Sequence, residues 1–169
     1  MRLPNRKPGK YTFPTFDPHM TQEKYDALKA QLEYLKKEAR PEAIKETQRH
    51  AENGDFSENA EYQIARGRLR GMNRTIDEIE FQLPKAIIIE ADEDSSVVEI
   101  GHTVTVATAE GKEITWKILG PSESNPEGGV VSYVSPIGAA LLGKTIGDVA
   151  TVELPDRTIN YTVIAIEVV

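Results

Sequence analysis

Between Thr21 and Pro84, apolar side chains return every third or fourth residue. Tyr25, Leu28, Leu32, Leu35 and Ala39 form the stripe of a coiled-coil helix. Thr21 is a fair N-cap, although Lys24 rather than Glu follows three residues on, so no capping box forms there. Pro41 interrupts the stripe and should kink or restart the helix, because it lacks an N–H and crowds the preceding turn. Ile44, Thr47 and Ala51 continue the apolar face in weaker form. Asn53-Gly54 is a turn signal, and a second helix should start near Asp55 to Asn59. Its stripe is Ala65, Leu69, Met72, Ile76, Ile79 and Leu83, closed by Pro84. Two stripes of similar length around one turn predict an antiparallel helical hairpin on the order of 40–45 Å long, with its tip far from any globular core.

After Pro84 the period changes to two. Residues 85–90, 97–100, 103–107, 113–119, 130–134, 149–154 and 158–168 read as strands of a mostly antiparallel sheet. Glu110-Gly111, Pro126-Glu127-Gly128-Gly129 and Pro155-Asp156 mark turns, and residues 91–96 form a polar linker. One short helix should interrupt the strands, with Ser135 as N-cap, Pro136 in its first turn and Gly143 as its stop. The expected class is α+β, with an N-terminal antiparallel coiled-coil hairpin at 20–84 and a β-rich domain at 85–169. Residues 1–19 carry Pro4, Pro8, Pro14 and Pro18 and read as an extended, basic arm.

Composition agrees with this outline. Only 39% of the 169 residues are apolar, somewhat below the globular average, as a hairpin burying one stripe per helix would require. The net charge of −7 is unevenly spread: about +3 over residues 1–19, −1 over 20–85 and −9 over 86–169. An acidic C-terminal half argues against wrapping duplex DNA and favours docking on a basic protein surface. The chain has no cysteine, which excludes disulfides, thiolate nucleophiles and Cys-based zinc sites, and fits a cytoplasmic protein. No apolar run approaches a membrane span, and the basic N-terminus lacks the apolar stretch of a secretory signal.

The segment with chemical potential is Asn53-Gly54-Asp55-Phe56-Ser57-Glu58-Asn59-Ala60-Glu61-Tyr62. One reading is local: Asp55 caps the second helix, Glu58 completes a capping box, and both carboxylates suit the positive helix end. The other is that Asp55 and Glu58 project from the tip toward a partner. Two carboxylates a turn apart can hold a divalent cation or orient a water. Mg²⁺ prefers octahedral oxygen coordination, so the remaining ligands would have to come from that partner.

This segment resembles the tip of the bacterial Gre factors, typically Gly-Asp-Leu-x-Glu-Asn-Ala-Glu-Tyr. Arg40-Pro41 before it, Ser135-Pro136-Ile137-Gly138, Leu141-Leu142-Gly143-Lys144 and Gly147-Asp148 are similar too, in the family's order from about residue 20 onward. The resemblance implies a transcription elongation factor that inserts its coiled coil into the secondary channel of bacterial RNA polymerase. There the tip acids, here Asp55 and Glu58, help retain a shared Mg²⁺ and position the attacking water. The polymerase then hydrolyses its backtracked transcript, and the arrested complex is rescued. The factor stimulates an endonuclease without being one, reaches DNA only through the polymerase, and binds no cofactor alone. The resemblance further implies an FKBP-like C-terminal domain docked on the channel rim, with Ser135 and Pro136 as docking candidates. Differences from the family pattern are Phe56 for the commoner Leu, Gly67 and Gly71 within the second helix, Val134 before Ser-Pro, and the arm.

Arg66, Arg68, Arg70 and Arg74 follow the tip. They read either as a solvated helix face or as contacts to the RNA 3′ segment, for which Arg66 and Arg70, four residues apart, are the candidates. His19, His50 and His102 lack ligand spacing. Trp116 reads as core or docking surface, and Ser135 as a cap rather than a nucleophile. Two alternatives stay open: a secondary-channel regulator that does not promote cleavage, and a coiled-coil adaptor or prolyl isomerase.

Overall fold

The computed structural model describes residues 16–52, 60–92 and 96–168. The chain enters through a two-residue strand, β1 (His19–Met20). Helix α1 (Gln22–Tyr34) follows, capped by Thr21, whose hydroxyl accepts from the Lys24 amide. Leu35–Ala39 form a π-helical turn in which the Arg40 amide donates to the Leu35 carbonyl, five residues back. Helix α2 (Arg40–Ala51) continues from it with Pro41 near its start. Helix α3 (Ala60–Gln82) returns, and a 3₁₀ turn at Leu83–Lys85 leads to strand β2 (Ile87–Ile88). The expected helical hairpin is present, with α2 packed against α3.

The π turn is how the chain meets Pro41. A regular α-helix would press the proline ring against the carbonyl four residues earlier; a widened turn relieves that contact. The same turn absorbs one extra residue. The buried seam runs through Leu28, Leu32, Leu35 and Ala39, then moves on by one to Ala43, Thr47 and His50, while Glu42 and Arg49 are exposed. Ala43 therefore carries the α2 contact that was expected of Ile44. Opposite it, Ala65, Ile76 and Ile79 are the buried face of α3.

β1 and β2 pair in parallel, His19 with Ile87 and Met20 with Ile88. The Ile87 amide donates to Pro18 O (2.8 Å) and the Ile89 amide to Met20 O (2.9 Å). The strand expected at 85–90 thus belongs to the base of the hairpin rather than to the C-terminal sheet. Met20, Leu28 and Ile79 form a small core there, with Phe16, Tyr25 and Leu83 against it. Residues 16–19, grouped with the arm from their prolines, are packed against this base.

The second core lies in a five-stranded sheet of order β5-β4-β3-β7-β6: β3 (His102–Thr108), β4 (Glu113–Leu119), β5 (Val130–Ser132), β6 (Val149–Leu154) and β7 (Arg157–Val168). Alternation puts Val104, Val106, Ile118, Val152 and Val163 inside. Trp116 resolves to core, edge-on to Tyr161 at 5.2 Å. The sheet is antiparallel except for β4–β5, where residues 120–129 loop through two short 3₁₀ turns and bring Val130 back beside Lys117 in parallel. The strand expected at 97–100 is a single bridge from Val97 to Thr145, because Gly101 turns the chain away at φ +103°. No described helix is long and apolar enough to cross a membrane.

Candidate functional site

The expected tip acids, Asp55 and Glu58, lie outside the described residues; the helix ends on either side in sequence, Ala51 and Ala60, are described. Across those helices, among the described residues, run two ion pairs and one histidine–carboxylate contact. Lys36 pairs with Glu80 near the base. Arg68 Nη1 reaches Glu46 at 3.0 and 3.2 Å farther up. Nearest the reversal, His50 Nδ1 lies 3.1 Å from Glu61 Oε2. The first two are solvent-exposed, whereas the His50 side chain is only 16% exposed.

The arginines past the reversal divide into two kinds. Arg68 is engaged by Glu46, and Arg74 Nε donates to Glu78 at 2.8 Å. Arg66 and Arg70 are exposed and have no ion-pair partner among the described residues. They stand one turn apart on α3, about 9 and 15 Å along the axis from Ala60.

Ser135 and Pro136 lie on the other half of the molecule, at the start of α4 (Pro136–Leu141). The Ser135 hydroxyl donates to Ser132 O (2.6 Å) and accepts from the Gly138 amide (3.1 Å), so it is occupied as a cap. Gly138 is required by close approach: a Cβ there would lie 2.1 Å from Ser132 O. Gly143 ends the turn at φ +74° as expected. Val134, 59% exposed, stands beside Ser135, and Pro136 is exposed too. The structure does not bring the arginine face and the Ser135 face into one pocket.

Sequence reasoning missed the polar seam that joins the two halves. Tyr133 donates its hydroxyl to Asp17 Oδ2. Asp17 Oδ1 accepts from the His19 amide and lies 2.9 Å from His19 Nδ1. The Thr21 amide and hydroxyl both donate to the Glu123 carboxylate, at 2.8 and 2.5 Å. Burial alone would raise the Asp17 pKa; the hydrogen bonds from Tyr133 and His19 outweigh it, and the net direction is downward. Tyr133 is pushed up to about 12, first by its bond to Asp17 and then by burial. No local motif signals the Asp17–Tyr133 and Thr21–Glu123 contacts, since their partners lie more than a hundred residues apart.

His102, read from sequence as an ordinary surface or structural histidine rather than a metal ligand, is fully buried. Its Nδ1 accepts from the Glu99 amide (3.2 Å), and Nε2 lies 3.1 Å from Asp92 O, so it is structural. Among the described residues no group of three or more His, Asp or Glu could hold a metal.

Comparison with known proteins adds the following. Residues 19–88 match the family described as Transcription elongation factor, N-terminal, and residues 93–168 match Transcription elongation factor, GreA/GreB, C-term. The chain is 44% identical over 138 residues to the transcription elongation factor GreA of Macrococcus caseolyticus, covering 81% of this chain and 87% of that one. It is 38% identical over 149 residues to the GreA of a Nitratiruptor species, covering 87% and 91%. Among solved structures it aligns with GreA factor homolog 1 of Thermus thermophilus at 28% identity and a TM-score of 0.41, covering 90% and 99%.

Proposed function

This chain belongs to the GreA/GreB family of transcription elongation factors, and from that premise we propose that it binds bacterial RNA polymerase and stimulates cleavage of backtracked transcripts. The observation that carries the reading is a long helical hairpin whose described ends, Glu52 and Ala60, flank the acid-bearing sequence 53–59, with a second, sheet-based domain behind it.

In this reading residues 20–84 are the inserted element, residues 85–169 the docking domain and residues 1–19 an arm. The C-terminal sheet is FKBP-like, a description supported by its five strands with α4 packed on β5 and β6. Ser135 and Pro136 contribute to docking through the exposed Val134–Pro136 surface rather than through the Ser135 hydroxyl, which is occupied. Arg66 and Arg70 are free to meet phosphates of the RNA 3′ segment, whereas Arg68 and Arg74 are held by Glu46 and Glu78.

The donor set at the tip suits a shared ion. Asp55 and Glu58 offer two carboxylates, too few to enclose Mg²⁺, and the described residues add no cluster. When bound in the complex, the ion supplies charge stabilisation for phosphodiester hydrolysis. The chain contributes carboxylate oxygens that ligate and that orient a water; it is a helper of the polymerase's activity and no catalyst by itself. Its partners are the polymerase and the nascent 3′ end, with DNA met only through the complex in the cytoplasm.

The test uses bacterial RNA polymerase stalled in a backtracked state with Mg²⁺. Added protein should release a 3′ fragment. Asp55→Ala and Glu58→Ala should each reduce release to background while polymerase binding is retained. Binding without fragment release by the wild type would sink the cleavage reading in favour of a regulator that only occupies the channel. Loss of helicity in Asp55→Ala would favour the capping role instead.

A further inference from the structure

We propose that His102 is a clamp on the strand leaving the hairpin, and that it turns the seat of the hairpin on the sheet from a hinge into a fixed mount. The chain passes between the two halves at two places. On the way in, β1 rests on the end of β4: a Cβ on Gly120 would lie 2.5 Å from His19 O, and Glu123 accepts from Thr21. On the way out, Ile89 prolongs the β1–β2 ribbon by donating its amide to Met20 O at 2.9 Å. The next residues cross the start of β3. There His102 Nε2 lies 3.1 Å from Asp92 O. Gly101 lets them come close, since a Cβ on it would lie 2.9 Å from Ala91 Cβ and 3.0 Å from Ile89 Cγ2.

The partners of the ring fix its state. Nδ1 accepts from the Glu99 amide at 3.2 Å, so that nitrogen carries no proton. The ring proton therefore sits on Nε2 and is donated to the Asp92 carbonyl. Both partners are backbone groups and the ring is fully buried, so the contact has one geometry. A buried polar side chain costs stability unless its hydrogen-bonding groups are met. Here both are met, and they hold the linker on one side and the ring's own turn on the other. That turn is tied to the sheet: the Gly101 amide donates to Ile118 O at 2.8 Å, and Gly101 takes φ +103° to do so. β3 and β4 are neighbours, with Thr103 opposite Lys117. The two attachments therefore sit side by side on one end of the sheet, about 5 Å apart. One line of contact leaves the hairpin free to turn about it. The second, at His102, removes that freedom.

The test uses the full chain free in solution and does not depend on the cleavage reading. The chain has no cysteine. Spin labels at Lys45→Cys on α2 and Glu153→Cys on β6, both exposed positions, therefore report the hairpin-to-sheet distance. One narrow distribution is expected. His102→Leu fills the site without a donor and should widen the distribution about twofold, since the ribbon then turns on a single contact. His102→Gln keeps an N–H donor and a carbonyl acceptor and should restore most of the narrow width. Ala91→Leu crowds the linker from outside the sheet core and should widen the distribution as His102→Leu does. Imidazole nitrogen NMR should place the His102 proton on Nε2 at neutral pH. The amide spectrum of the sheet should stay dispersed in the widened variants. An unchanged width in His102→Leu, a His102→Gln as wide as His102→Leu, or a proton on Nδ1 would overturn the clamp. If His102→Leu unfolds the sheet, Ala91→Leu decides: a wild-type width there overturns the clamp as well.

Discussion

Tyr133 and Asp17 shift each other in opposite directions, and the consequence can be measured. A carboxylate with a lowered pKa stabilises the folded chain above its unfolded pKa near 3.8 and loses that contribution as pH falls through the folded value. A phenol pushed up to about 12 stabilises the fold below its unfolded value of 10.0 and loses that contribution as pH rises between the two. The contact is therefore intact across the neutral range. Absorbance titration of the six tyrosines should show one ionising near 12, and Tyr133→Phe should remove that step. The same variant should cost about 1 kcal/mol in urea unfolding. All six tyrosines ionising together near 10 would contradict the assignment. Single residues also mark where sequence reasoning stops. Ser135 was legible as a cap because its partners are three residues away, whereas Thr21 was legible as a cap but not as the partner of Glu123.

At the scale of elements, α3 carries two glycines with no local reason to be there. A Cβ at Gly67 or Gly71 would meet nothing within 4 Å. Gly67→Ala and Gly71→Ala should each raise stability by about 1 kcal/mol, seen as a higher melting temperature. A fall would mean that α3 packs differently along this face. The hairpin itself was legible because helix periodicity is local: the α3 stripe named from sequence contains Ala65, Ile76 and Ile79, all buried. The interruption at Pro41 was legible too, but its form was not. A π turn shows in sequence only as a seam that slips by one residue, and the weak apolar character of Ala43 and Thr47 hides the slip. The same slip places His50 on the seam, which explains why it looked like a scattered histidine. Strand errors have a related cause. Pairing is decided by distant chain, so a lone buried Val98 passed for a strand at 97–100, while the parallel β4–β5 and β1–β2 pairs gave no local sign.

At the scale of the whole molecule, the segment from Phe16 to Thr21 joins the hairpin base to the sheet domain. Besides Asp17–Tyr133 and Thr21–Glu123, His19 lies edge-on to Tyr133 at 5.9 Å. Gly120 lets the strand sit close, since a Cβ there would be 2.5 Å from His19 O. Gly120→Ala should push this segment outward at a cost of about 1–3 kcal/mol. Small-angle scattering should then register a changed or broadened arrangement of the two halves, and an unchanged profile with unchanged stability would refute the seat. The hairpin makes the position of that seat matter far away. It works as a lever: with α3 about 35 Å long, a rotation of one degree at the base moves its far end by ~0.6 Å. Productive geometry at a reacting centre tolerates about 0.5 Å. On the cleavage reading proposed above, the angular allowance at Gly120, Tyr133 and Glu123 is about one degree, and a change there would spoil the aim with every tip residue left in place.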